Sequence, residues 1–292
     1  MILIVFLQIQ RISDGRQIFF PLRLPKTRLS LTAHTSKDCG RNMILYFSAT
    51  GNCKYVAERI AGQFGDAAVS IENADGQVHL SENEMLGIVT PVNWLELPVL
   101  VREFLRKMSV EKNGEPYSFI VTTYGTTPGC TFADAKKILS GKGIVLNGGF
   151  SVKMPDNWTP LFDVSDAEAV RQQNEESEKY ISEVLEHIQK RRSGNFMQHK
   201  MPYAVRLVAD PFLNSERKTK NFYVEDSCIG CGLCARRCPV RAIEMQDKKP
   251  VWVKARCALC LRCLHHCPKF AIQYGNGKTK QHGQYKNPNV KI

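Results

Sequence analysis

The chain has no apolar run long enough to cross a membrane. Its best stretch, Met1 to Ile9, is about half of the roughly 20 residues that a spanning helix needs. That stretch is also a poor export signal, because basic residues follow it rather than precede it and no small-residue cleavage site closes it. No G-x-G-x-x-G occurs, so the dinucleotide fingerprint is missing. No acid–base or nucleophile constellation stands out either, and no catalytic residue is assigned. Acidic residues are scarce toward the C-terminus, where residues 220–292 hold 4 Asp+Glu against 14 Lys+Arg.

Cysteine, by contrast, is abundant and ordered. Eight of the 11 cysteines fall in two runs of the form C-x2-C-x2-C-x3-C-P, set 29 residues apart. The first is Cys228, Cys231, Cys234 and Cys238 before Pro239; the second is Cys257, Cys260, Cys263 and Cys267 before Pro268. This spacing is the bacterial ferredoxin signature for two 4Fe-4S clusters. Three closely spaced thiolates grip three corners of a cube, and the fourth corner takes the x3-C-P cysteine of the other run. One cluster is therefore assigned to Cys228, Cys231, Cys234 and Cys267, and the other to Cys257, Cys260, Cys263 and Cys238. Zinc sites usually show separated C-x2-C pairs, often with histidine, and disulfide frameworks suit short secreted chains. The flanking sequence repeats as well, with Ala242-Ile243 matching Ala271-Ile272, which fits a duplicated unit exchanging its fourth ligand. His265 and His266 are expected on the surface of a short helix. Thiolates that must stay reduced until loaded agree with a cytoplasmic location.

Charge divides the chain. Residues 1–42 are net +5, residues 43–219 net −3 and residues 220–292 net +10. Each oxidised four-thiolate cluster site carries roughly −2, so the C-terminal part stays basic when loaded. That surplus fits docking against the acidic middle of the same chain, or steering of an acidic redox partner protein. Nucleic acid is not expected, since no binding motif accompanies the charge.

Met43 to Phe47 reads as a buried strand, Ser48-Ala49-Thr50-Gly51-Asn52-Cys53 as a small polar loop, and Lys54 to Gly62 as a helix. That order sets hydroxyls and free N–H groups at a helix N-terminus, an anion site. The loop has no Gly-Lys-Ser/Thr, so a nucleotide-triphosphate loop is not expected. Further strands are expected at Ala68 to Ile71, Met85 to Pro91, Tyr117 to Thr123, and Ile144 to Met154 with an interruption at Gly148-Gly149. Helices are expected at Leu97 to Met108, Thr131 to Leu139 and Ser165 to Arg192. Such alternation predicts an α/β fold: a doubly wound, parallel, five-stranded sheet, followed by a small α+β two-cluster domain. Ligands of such sheets sit beyond the carboxyl ends of the strands, here the loops 48–53, 90–97 and 122–130. Asn93, Trp94, Thr123, Tyr124 and Gly125 lie in the last two loops and are candidates for lining a flavin mononucleotide (FMN) site. Trp94 and Tyr124 read equally as flavin contacts or core aromatics.

Ser48-Ala49-Thr50-Gly51-Asn52 resembles the flavodoxin phosphate loop S/T-x-T-G-N-T. With Pro91-x-x-Trp94, Thr122-Thr123-Tyr124-Gly125 and the double cysteine motif, the chain resembles bacterial proteins that fuse a flavodoxin-like domain to a two-cluster ferredoxin. The resemblance implies FMN phosphate on residues 48–53 and the flavin ring against the aromatic-bearing loops. Cys53 departs from it, standing where the family has threonine. A thiol at a helix N-terminus reads either as a tolerated small residue or as an oxidation-sensitive group of lowered pKa.

The expected organisation is an N-terminal extension over 1–42, disordered or a mis-called start; a flavodoxin-like domain over 43–200; a linker over 201–219; a ferredoxin domain over 220–275; and a loosely packed basic tail over 276–292. Trp158 is expected at the site rim, Cys130 as an apolar filler, and Cys39 carries no reading. The expected function is electron transfer between FMN and the two clusters, as a one-/two-electron relay for a redox partner. An FMN-dependent reductase of a small organic substrate, fed through the clusters, and a non-catalytic redox-sensing or binding module remain open alternatives.

Overall fold

The central sheet is built from strands whose two faces are both apolar. In β1 (Met43–Tyr46), β4 (Met85–Pro91) and β6 (Tyr117–Tyr124), successive side chains enter opposite cores. Ile44, Val89, Phe119 and Val121 pack on one face, while Leu45, Leu86, Ile88 and Ile120 pack on the other. A strand buried on both sides has no room for polar alternation, which is why these segments read as continuous apolar runs. This computed structural model describes residues 42–199, 201–202 and 217–292, all within one compact unit. The expected extension apart from Asn42, Cys39, and most of the 201–219 linker lie outside the described residues.

The remaining strands are β2 (Ala68–Ser70), β3 (Gln77–Leu80), β5 (Ser109–Lys112), β7 (Gly148–Lys153) and β8 (Gly194–Asn195). The main sheet runs β2-β1-β4-β6-β7-β8, with every neighbouring pair parallel. Its first five strands follow the expected doubly wound order, reversing between β1 and β4. A two-residue sixth strand, β8, extends the expected five because Gly194 continues past the helix end to pair with Gly148. β3 and β5 form a separate parallel pair that the sequence reading passes over; their exposed, alternating polar residues resemble loop. Gly148-Gly149 begins β7 rather than interrupting it. A Cβ at Gly149 would sit 2.3 Å from the Phe132 ring, so Gly149 lets the helix that carries Phe132 approach the sheet.

Helices α1 (Asn52–Gln63) and α4 (Ala167–Gln189) cover one face, α2 (Val99–Lys107) and α3 (Thr131–Ser140) the other. Each fully buried aliphatic residue of α1, such as Val56 and Ile60, contributes about 1.5–3 kcal/mol. The side chain of Asp166 caps α4 by accepting from the N–H groups of Glu168 and Ala169. Among the described residues no helix is long and apolar enough to cross a membrane.

The C-terminal part repeats itself. β9 (Phe222–Val224) pairs with β12 (Ile272–Tyr274), and β10 (Ile243–Gln246) with β11 (Lys249–Trp252), both antiparallel. Two one-turn helices, α5 (Leu233–Arg236) and α6 (Arg262–His265), each start after a residue at positive φ, Gly232 at 71° and Leu261 at 53°. The tail is not loose. α7 (Lys278–His282) is tied to residues before α4 through Val164 N–H donating to the His282 carbonyl, and Tyr285 and Asn287 are buried. The expectation of loose packing followed from the tail's charge; buried tyrosine and asparagine side chains with partners hold it instead.

Candidate functional site

The loops at the carboxyl ends of β1, β4, β6 and β7 converge on a cavity of about 250 Å³. Of the residues expected there, Ala49, Asn52, Cys53, Asn93, Trp94, Thr123, Tyr124 and Gly125 line it. Ser48, Thr50 and Gly51 are buried beside it but do not line it. The Ser48 hydroxyl accepts from the Gly51 N–H at 3.0 Å, and the Thr50 hydroxyl accepts from Asn157 Nδ2 at 2.6 Å.

Trp94 occupies a tight turn. Asn93 and Glu96 exchange backbone hydrogen bonds across it, and Trp94 itself adopts φ 59°, a conformation uncommon for a bulky residue. The turn is braced by Gly129, where a Cβ would lie 2.5 Å from the Leu95 carbonyl oxygen. Trp94 and Trp158 stand with ring centroids 5.8 Å apart, which places Trp158 in the wall rather than only at the rim. Both aromatics therefore line the cavity, and Trp158 also packs against the C-terminal core beside Tyr274. Tyr124 is 5 % exposed and lines the same space.

Sequence reasoning missed part of the wall. Pro155, Asp156 and Asn157 follow β7 and contribute, although Asp156 in a segment after a strand end was a usable signal. Its side chain packs on Gly125, where a Cβ would meet it at 2.3 Å, and burial raises its carboxyl pKa. The second omission is larger. Ala258, Leu259, Cys260 and Leu261, from the second cysteine run, close the cavity from the opposite side.

Cys53 resolves as the tolerated small residue. It is 2 % exposed, its thiol lies 3.1 Å from the Thr123 hydroxyl, and burial pushes its pKa up to about 12. Burial outweighs any stabilisation of thiolate by the helix terminus. Native protein treated with iodoacetamide at pH 8 should therefore leave Cys53 unmodified by mass spectrometry, while unfolded protein is labelled there.

The two histidines are not on the surface. His265 is 0 % and His266 7 % exposed, and both bridge to the loops of the first domain. His266 Nε2–H donates to the Ala49 carbonyl at 2.9 Å, with Arg237 donating to Nδ1 at 2.8 Å. His265 Nε2–H donates to the Asn157 carbonyl at 2.9 Å, and its Nδ1 accepts from the Tyr285 N–H at 3.1 Å. Burial lowers the pKa of each to about 4, so both rings are neutral at pH 7. A helix considered alone gives no sign that its polar residues meet another domain.

The cysteines gather in two groups. Cys228, Cys231, Cys234 and Cys267 line one small cavity. Cys257, Cys260 and Cys263 are raised in pKa chiefly by burial, and next by neighbouring thiols that in each case include Cys238. The two cysteines expected as fourth ligands are placed alike: the Cys238 sulfur accepts from Ala242 N–H at 3.2 Å, and the Cys267 sulfur from Ala271 N–H at 3.3 Å. Among the described residues no three His, Cys, Asp or Glu side chains converge on one point, as a single ion requires. Thiolates holding separate corners of a cube stand apart, so the donor set suits clusters. The cavity suits a flat ring between aromatic and aliphatic walls, whereas the phosphate loop is covered by the C-terminal segment.

A family model described as 4Fe-4S dicluster domain matches residues 227–281, and one described as Flavodoxin domain matches residues 43–189. No curated protein matches the chain. A flavodoxin domain implies FMN, and a dicluster domain implies iron–sulfur clusters. The flavodoxin model covers half of the chain, so the chain belongs to the flavodoxin domain family and carries a 4Fe-4S dicluster domain behind it.

Proposed function

We propose that the chain relays electrons between its two 4Fe-4S clusters and a flavin ring seated in the cavity, on behalf of a redox partner. Flavodoxin and 4Fe-4S domains in one chain make electron transfer its class of function. The observation that carries the relay is that Cys260 lines the same cavity as Trp94 and Tyr124. A ligand there lies against the residues that hold the second cluster, with no intervening domain gap. A bound flavin takes two electrons and releases them singly, whereas a cluster moves one at a time. The chain's own residues hold the ring between Trp94, Trp158 and Leu261 and exclude bulk water from the path. Around the first cluster, exposed Cys231 with exposed Lys248, Lys249 and Lys269 supports an acidic partner for electron entry or exit.

Stopped-flow reduction of loaded protein by a low-potential donor, with the flavin supplied as FMN or riboflavin, tests the relay. Cluster bleaching should be followed by flavin bleaching in a phase independent of protein concentration. A phase whose rate rises with protein concentration would sink the relay. A second reading, reduction of a small organic acceptor, is favoured by Asp156. It puts a carboxyl group on the cavity wall, raised in pKa by burial, where acceptor reduction needs a proton donor. Repeated turnover of an added organic acceptor by protein loaded with flavin and clusters, and none without flavin, would select that reading.

A further inference from the structure

We infer that the C-terminal segment Tyr285–Ile292 occupies the phosphate end of the flavin site, so that the cavity selects a flavin ring without a terminal phosphate over FMN. The inference rests on the proposed ring site and adds which ligand that site takes.

The segment is fastened to the loop group by group. The Asn287 N–H donates to the Thr50 carbonyl at 2.8 Å, and its Nδ2 donates to Asn52 Oδ1 at 3.1 Å. The Tyr285 hydroxyl, in a residue 3 % exposed, lies 2.6 Å from Asn52 Oδ1 and 2.9 Å from Asn174 Oδ1. Asn174 is a buried amide on the core-facing side of α4, and it meets the segment through this contact. Lys54 Nζ, in the first turn of α1, donates to the Lys291 carbonyl at 2.5 Å.

Shape closes what hydrogen bonds leave. Gly51, at φ 105°, forms the apex of the loop. A Cβ there would lie 2.8 Å from Ile292 Cδ1, 2.9 Å from Asn287 Cβ and 3.0 Å from Val290 Cγ2. A phosphate is far larger than a methyl group, so it and the segment cannot share that apex. One backbone donor that the motif lends to a phosphate, the Gly51 N–H, is spent on the Ser48 hydroxyl, and the Thr50 hydroxyl is held by the Asn157 amide. The ring end carries no such obstruction, because Ala49, Asn52 and Cys53 open onto the cavity.

The test compares FMN with riboflavin, titrated by flavin fluorescence into anaerobic protein with both clusters loaded. Three chains are used: the full chain, a chain ending at Tyr285, and a full-length chain carrying Asn287→Ala, Val290→Ser and Ile292→Ser. The second keeps the buried tyrosine, and the third keeps the length, so a folding defect in one leaves the other to decide. The full chain should bind FMN no more tightly than riboflavin, and the altered chains should prefer FMN at least tenfold. A tenfold FMN preference in the full chain overturns the inference, as does a preference unmoved in both altered chains; either leaves the ring site standing. Loss of FMN affinity in the altered chains also overturns it, by making the segment a clasp for the phosphate. Failure of both flavins to bind any of the chains overturns the ring site and this inference with it.

Discussion

Replacing Cys238 with alanine should remove the second cluster, not the one whose other ligands share its sequence run. Iron should fall from about eight to about four atoms per chain in anaerobically reconstituted protein, because one four-iron cube is lost. The expectation comes from placement. Cys238 follows Cys228, Cys231 and Cys234 in sequence, yet its charge acts on Cys257, Cys260 and Cys263. Cys267, the last cysteine of the second run, lies instead in the cavity of Cys228, Cys231 and Cys234. Spectra separate this exchange from the local alternative. Cys238→Ala and Cys263→Ala should leave the same residual cluster signal in electron paramagnetic resonance, and Cys267→Ala and Cys228→Ala should share the other. Matching signals for Cys238→Ala and Cys228→Ala would defeat the exchange. Alanine is the better probe than serine here, since a serine oxygen can substitute for the thiolate and blur the iron count.

Much of this was legible because the residues concerned carry their constraint locally. Eight cysteines at fixed spacing point to a 4Fe-4S dicluster domain whatever surrounds them, and the model of that domain matches residues 227–281. Strands such as β4 and β6 state double-sided burial through unbroken apolar runs. The departures share one cause, contact between segments remote in sequence. His265 and His266 look like solvent-facing residues of a short helix until Ala49 and Asn157 offer them carbonyls. Asn174 looks out of place on the core-facing side of its helix until Tyr285 reaches it. The phosphate loop shows the same limit in reverse. Its motif states what Ser48, Thr50 and Gly51 are suited to hold, but not that residues some 240 positions away lie over them. β3 and β5 escaped for a simpler reason: four-residue strands with half their side chains exposed differ little from loop.

Arg262→Ala should uncouple the two domains while leaving both clusters loadable. Arg262 sits beside Cys263, but its guanidinium points across the seam. It donates to both oxygens of Glu72 at 2.6 and 2.7 Å, to the Ser48 carbonyl at 2.7 Å and to the Arg237 carbonyl at 3.2 Å, and it lies 5.5 Å from the centre of the Phe47 ring. Its side chain is 11 % exposed against 29 % for Glu72, so the arginine is the more committed partner. Breaking a fully buried pair costs about 3–5 kcal/mol, and the partial exposure of Glu72 reduces that to about 2–3. Most of that loss falls on the interface, since Glu72, the Ser48 carbonyl and the Phe47 ring all lie across the seam from Arg262. Calorimetric unfolding of loaded protein should then change from one joint transition to two, with the flavodoxin domain melting first. Glu72→Gln should cost less, about 1 kcal/mol, because Arg262 keeps the carbonyls of Ser48 and Arg237. The relay should respond in parallel: the concentration-independent phase slows in Arg262→Ala as the cavity wall from Ala258 to Leu261 loosens from the Trp94 turn. A single unshifted transition in Arg262→Ala would show that the seam is held by the buried histidines and the C-terminal segment, with the arginine dispensable to it.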